Sequence, residues 1–286
     1  MSHYLKFLFS ALFVFSTLSL SANAQSITNE NAVASSACPT TGNMVAQNGD
    51  CRVTPSTFST TIYEIGLCTA HPYGAAKTSA TFDASTCVVI YTDATPAAVD
   101  LAAAIGTNTS LPGTASAPPE GTYGFPYIKL GTDFTVAGSF TNTPTGGVAT
   151  TYYSGGAGAV NTTGPAVTQT DSLKNFGDTL CSSGYVGAAV VGGTMDGFIT
   201  NTALTRSIDT DKTGVDPVIC NKSDRLIAVM NLAAPFTVTS QTYAVNFNFI
   251  LTNYGAQFVD GNNTAGAPEE FASAPFAGYF TVLNAD

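Results

Sequence analysis

Apolar residues follow two patterns along this chain. Near the start they form one block, Phe7 to Leu20, interrupted only by Ser and Thr. Elsewhere they come in short runs, some alternating with polar residues, and separated by Gly, Pro, Asn and Asp. Alternation at a period of two is the mark of half-buried strands.

Strand signals recur from residue 58 onward. Phe58 to Cys68 alternates in part, and Tyr63, Ile65 and Leu67 are expected on one face. Cys87 to Thr92 is a short, dense β run. Tyr123 to Leu130 and Phe134 to Phe140 read as a hairpin joined through Gly131-Thr132-Asp133. Further strands are expected at 150–153, 186–191, 198–208, 225–232, 236–253 (bent or split) and 279–283. Residues 95–106 carry both helix punctuation, with Thr95, Pro96 and Gly106 at the right places, and a strand-like Val99-Asp100-Leu101. The β context favours strand. Residues 107–121 and 141–170 are rich in Gly, Thr, Ser, Pro and Ala and read as surface loops. The expected fold class is all-β: an immunoglobulin-like or related antiparallel β-sandwich, as one domain or as two packed or elaborated units. The expected domains are residues 1–24 as signal peptide, 25–56 as a polar N-terminal arm and 57–286 as the sandwich. Any subdivision falls near 141–170.

The apolar block changes the setting of the fold. Lys6 precedes it, and Ser21-Ala22-Asn23-Ala24 follows, with small residues at the −3 and −1 positions of a cut after Ala24. A basic start, a short apolar core and an A-x-A site make a signal peptide. A bilayer span needs about 20 apolar residues, more than this block supplies. The expected location is therefore secreted or cell-surface, in the periplasm or outside the cell, after cleavage near Ala24.

Charge then narrows the partners. Residues 25–286 keep eight of the nine Lys and Arg and all 19 acidic residues, a net charge of −11. Phosphate binding needs clustered cations, so nucleic acid is excluded as a partner. Charged residues make up only 10% of the chain, so solubility leans on Thr, Ser, Asn and Gly. Thr sits well on a pleated, exposed surface.

Six cysteines, Cys38, Cys51, Cys68, Cys87, Cys181 and Cys220, all lie beyond the signal. An even count in an exported chain points to disulfides. Pairing neighbours gives Cys38–Cys51, Cys68–Cys87 and Cys181–Cys220. No C-x-x-C is present to suggest a zinc ribbon or a redox pair.

The run Tyr63-Glu64-Ile65-Gly66-Leu67-Cys68-Thr69, with Gly121-Thr122-Tyr123, Gly138-Ser139-Phe140 and Tyr152-Tyr153-Ser154, resembles a group of uncharacterised exported bacterial proteins. The Gly-Thr-Tyr strand opening also resembles immunoglobulin-like and prealbumin-like modules. The resemblance spans roughly residues 55–155 and rests on short motifs. It implies a β-sandwich and carries no chemistry to transfer.

Catalytic sets are sparse. His3 belongs to the signal, leaving His71 as the sole imidazole of residues 25–286, and no G-x-S-x-G elbow supplies a nucleophile. His71 is expected to be a polar loop residue or a packed one. Asp209-Thr210-Asp211-Lys212-Thr213-Gly214-Val215-Asp216 matches the opening of a calcium loop, so Asp209, Asp211, Thr213 and Asp216 are the metal candidates. The match breaks at Cys220, where a bidentate Glu belongs. Asp260-Gly261-Asn262-Asn263-Thr264 is a weaker loop of the same kind. Nothing in the spacing of the 14 Asp and five Glu nominates a hydrolytic pair. No catalytic residue and no cofactor other than calcium are therefore expected. The expected function is a non-catalytic structural or adhesive protein, a subunit of a filament or surface layer, associating with itself or with other surface proteins. The alternative is a secreted calcium- or carbohydrate-binding module or an Asp-dependent hydrolase.

Overall fold

The computed structural model describes residues 13–14, 36–42, 50–174, 185–190, 193–207, 212–213, 219–220, 222–260 and 267–284. The protein is all-β and sandwich-like, with several mostly antiparallel sheets packed together. Among the described residues no helix is long and apolar enough to cross a membrane.

One strand organises the largest sheet. Thr57–Cys68 is paired on both edges. Its first half pairs with Asp133–Ala137 and Ala98–Asp100, and its second half with Phe125–Leu130 and Cys87–Thr92. The sheet continues from Phe125–Leu130 through Arg225–Leu232 and Gly193–Thr200 to Tyr185–Val190. At its other end Gln169–Ser172 flanks Asp133–Ala137.

Alternation along Thr57–Cys68 changes phase in the middle. Phe58, Thr60 and Ile62 are buried, and then Ile65 and Leu67. The cause is a bulge: Lys129 lies opposite Glu64, but Leu130 lies opposite Ile62. Tyr63 is the extra residue, and one extra residue flips every later side chain relative to the earlier ones. Ile65 and Leu67 face the core as expected. Tyr63 does not; it is half-buried under the Arg225 guanidinium, 3.8 Å from the ring centre.

The same region corrects the expected hairpin. Phe125–Leu130 and Asp133–Ala137 do not pair with each other; both run antiparallel along one edge of Thr57–Cys68. Gly131 does not take the positive φ of a tight hairpin turn. Its N–H instead donates to the Thr61 carbonyl at 2.8 Å, which carries the ladder through. The chain turns later, at Gly138, where it leaves this sheet. Ser139–Asn142 then pairs with Thr150–Gly156, and that strand with Ala159–Asn161. A Cβ on Gly138 would press on Val53 and Phe271, so the small residue permits the corner.

Other expectations shift for local reasons. Residues 141–170 hold the expected strand at 150–153, here Thr150–Gly156, but the rest is not a loop: Thr is a good strand former, and the segment holds most of that meander and the start of the Gln169–Ser172 edge strand. Strands from both sides of the segment lie in one sheet. The strand expected at 198–208 is Gly193–Thr200, pairing with Tyr185–Val190 so that Val190 lies opposite Gly193. Residues 95–106 contain a short strand, Ala98–Asp100, and then one 3₁₀ turn, Ala102–Ala104. Asp100 Oδ1 directs the change by accepting from the N–H groups of Phe58 and Ala102, both at 3.0 Å. The 25–56 arm ends in a true strand, Asp50–Val53, which pairs with Ala256–Val259.

The second layer comprises that ladder with Glu270–Ser273, and the Thr242–Ile250 and Ala277–Asn284 pair. Phe247, Phe249, Phe258 and Phe271 from this layer meet Phe58, Ile62, Ile128, Leu130 and Met230 from the large sheet. Phe276 bridges the layers, with its ring centre 5.6 Å from Phe58 and 5.8 Å from Phe249. A second, smaller core lies on the large sheet's other face: Cys68, Tyr73, Tyr127, Phe198, Ile227 and Val229. A two-residue ladder also joins Phe13–Val14, within the apolar N-terminal block, to Asn108–Thr109.

Gly66 tests how tightly the second core is built. It lies opposite Tyr127, and a Cβ there would sit inside the buried Tyr127 ring. Gly66→Ala is expected to cost about 1–3 kcal/mol, the usual range for overpacking a filled core. Urea unfolding of the wild type and the variant measures it; equal midpoints would show that the ring moves freely.

Candidate functional site

Among the described residues, a buried group of titratable side chains sits in the second core. The strand Gly193–Thr200 projects Asp196 to the same face as Val229 and Tyr127, which lie level with it across the sheet. Asp196 is 0% exposed. The segment 69–86 closes over it. That segment leaves the sheet at Cys68 and returns at Cys87, and the Cys68–Cys87 disulfide ties its two ends. It brings His71, Tyr73, Lys77 and Phe82 down onto the sheet.

Three polar groups meet there. Lys77 Nζ lies 2.9 Å from Asp196 Oδ1 and 2.8 Å from Oδ2. His71 Nε2 lies 3.3 Å from Asp196 Oδ2. His71 Nδ1 accepts from the Tyr73 backbone N–H at 3.1 Å, so in this tautomer Nε2 carries the hydrogen and faces the carboxylate. Burial pushes the Asp196 carboxyl up, but hydrogen bonds and charges from His71 and Lys77 outweigh it and hold the group below its ordinary value.

Aromatic rings wall the cluster. Phe125 and Phe198 stand edge-on to His71, at 5.7 and 5.8 Å. Tyr73 stacks on Phe198 at 4.1 Å, and Arg206 lies over the same ring at 5.2 Å. Arg206 Nη1 also donates to the Lys77 carbonyl at 2.6 Å, anchoring the loop. Beside them Tyr127 donates its hydroxyl to Glu64 Oε1 at 2.6 Å, and Lys129 Nζ pairs with the same oxygen at 3.1 Å. Burial, then the bond to Glu64 and its charge, raise the Tyr127 phenol; burial raises Tyr73.

This arrangement does not resemble a hydrolytic triad. A general-base His needs one nitrogen on its carboxylate and the other free to reach a nucleophile. Here the second nitrogen accepts a backbone N–H inside the core. His71 is thus a packed residue, the second of the two fates expected of it. The sequence did not single out Asp196 or Lys77; they are distant along the chain, and only the sheet register joins them.

The remaining site residues are spread elsewhere. Cys38–Cys51 and Cys68–Cys87 are bridged as neighbour pairing predicts. Cys181 lies outside the described residues, as do Asp209, Asp211 and Asp216. The backbone of Lys212–Thr213 pairs with Ile219–Cys220. Among the described residues no three His, Cys, Asp or Glu side chains gather into a metal-holding group. Asp260, which heads the weaker calcium-like loop, is 3% exposed, and among the described residues neither of its carboxylate oxygens finds a hydrogen-bond donor.

Two disulfides mark an oxidising, extracytoplasmic environment, because such bonds persist where thiols are not kept reduced. No family model matches the chain, and no curated protein or solved structure matches it.

The raised phenols set a pH dependence. A group whose value is raised on folding contributes stability that is complete below its unfolded value and is lost as pH rises toward the folded one. The ordinary value for Tyr73 and Tyr127 is 10.0. The fold is therefore expected to weaken above about pH 10, as the unfolded chain ionises first. Urea midpoints measured from pH 8 to 11 check this. Tyr73→Phe and Tyr127→Phe should each flatten the slope; an unchanged slope in both would refute the assignment.

Proposed function

We propose that the chain is a non-catalytic extracytoplasmic structural or adhesive protein, a subunit of a cell-surface filament or surface layer. Residues 1–24 direct its export and are removed near Ala24. The observation that carries this reading is the closure of the His71 cluster. The sole imidazole of residues 25–286 has both nitrogens turned inward, and the acidic partner is wholly buried. A group that holds a loop on a sheet serves stability rather than turnover. The scarcity of charged residues supports the same reading. Exposed Thr hydroxyls pair across strands at 2.7–3.0 Å in Thr122–Thr237, Thr135–Thr170 and Thr141–Thr151.

Imaging of intact cells with a tag on this protein tests the proposal. Tagged filaments or a continuous coat are the expected result. A product found only in the medium, monomeric at high concentration, would overturn it.

A second reading is favoured by Asp260 alone. A buried carboxylate without donors is costly, and a hard cation with oxygen ligands relieves that cost. In this reading Asp260 binds calcium. Calcium should then raise the melting temperature of the wild type and not of Asp260→Asn. No rise in excess calcium would remove this reading.

A further inference from the structure

We propose that Lys77 and Asp196 condense into an intramolecular amide, a covalent cross-link between the 69–86 loop and the large sheet. This is a self-modification of the folded chain, and it stands apart from any reading of the protein's role at the surface.

The two groups that would react are already in contact. The Lys77 nitrogen sits 2.8–2.9 Å from both carboxylate oxygens. The attacked atom, Cγ, lies one bond beyond those oxygens, so the ion pair keeps the amine beside the carboxyl and a small tilt of the side chain is needed for attack. The carboxylate is 0% exposed, while the Lys77 side chain keeps 24% exposure, which leaves an exit for the water released. Phe125, Phe198 and Tyr73 line the surroundings, where burial costs both ions part of their hydration and a neutral amide carries no such cost.

The backbone of Lys77 supplies an independent sign. It is one of few non-Gly residues at positive φ, 58°. That conformation is unfavourable in a residue with a side chain. It persists because the loop over-determines it: the Lys77 N–H donates to the Gly74 carbonyl at 2.9 Å, and its carbonyl accepts from Arg206. Strain held this way at a polar cluster marks a residue placed for a task. Here it aims the amine at Asp196, 119 positions away along the chain.

The step balances without any co-reactant. One ammonium proton passes to the carboxylate, giving an amine and a carboxylic acid. The amine lone pair attacks Cγ of Asp196, and the N–C bond forms. His71 Nε2–H, beside Oδ2, stabilises the charge that grows on that oxygen. A second nitrogen proton moves to the departing hydroxyl, the C–O bond breaks, and one water leaves. No atom changes oxidation state.

Intact mass spectrometry of the mature protein, reduced and alkylated, tests this. The expected mass is lower by one water than that of the alkylated sequence, and digestion should yield one branched peptide containing both Lys77 and Asp196. Lys77→Arg keeps the ion pair but offers no amine, so it should show the full sequence mass. His71→Phe keeps a ring in place and removes the donor, so it should lower the cross-linked fraction. A wild type at full mass overturns the proposal, as does a water loss that persists in Lys77→Arg. An undiminished fraction in His71→Phe overturns the part given to His71.

Discussion

The double pairing of Thr57–Cys68 is the constraint on which the rest of the molecule depends. A central strand must satisfy hydrogen bonds on both edges and bury side chains on both faces. This one does so by changing phase at Tyr63. The bulge keeps Phe58, Ile62, Ile65 and Leu67 in the main core and leaves Gly66 and Cys68 facing the other side. Gly66 makes room for the Tyr127 ring, and Cys68 starts the loop that covers it. Without the phase change the later residues would point the wrong way, and the second core would have no floor.

The second core is an uneconomical design if read only as packing. Burying Asp196 with Lys77 and His71 costs desolvation that a hydrophobic trio would avoid. What the cluster supplies is position. A loop over a flat apolar sheet can slide, because apolar contacts lack direction. A carboxylate held by two nitrogens, with His71 itself fixed by the Tyr73 N–H, admits one placement. The Cys68–Cys87 bridge acts on the same loop from its ends by limiting the states open to it when unfolded. Two constraints of different origin thus converge on one segment.

Much of the fold was legible because strand formation leaves local traces. Arg225–Leu232 and Cys87–Thr92 match their apolar runs residue for residue, and the split of 236–253 falls between Val238 and Thr242. The failures have non-local causes. A bulge at Tyr63 and a continuous ladder through Gly131 depend on the partner strand, and local sequence carries no sign of the partner's register. Within 141–170 the expected strand at 150–153 is present, and low complexity hid its neighbours, since Thr and Gly mark both loops and exposed strands. The site was illegible for the same reason. His71 stood out by rarity, but Lys77 and Asp196 looked ordinary until the sheet placed them together.

The scarcity of charge explains why covalent closure matters in this chain. Thr–Thr pairs such as Thr135–Thr170 keep the outer strands wetted and add about 0.2–1 kcal/mol each. They do not hold a long loop or a polar N-terminal segment in place. The two described bridges fall where such segments join the sheets: Cys38–Cys51 fixes the segment before Asp50–Val53, and Cys68–Cys87 fixes the loop over Asp196. Main-chain bonds do the rest at the first junction, where the Cys38 N–H donates to the Arg52 carbonyl at 2.9 Å. At the second junction main-chain bonds join Ala80 and Phe82 to Arg206 and Leu204, and Lys77 adds a side chain that reaches the sheet at Asp196. A bond there completes what the disulfide begins, because it fixes the middle of a loop whose ends are already joined.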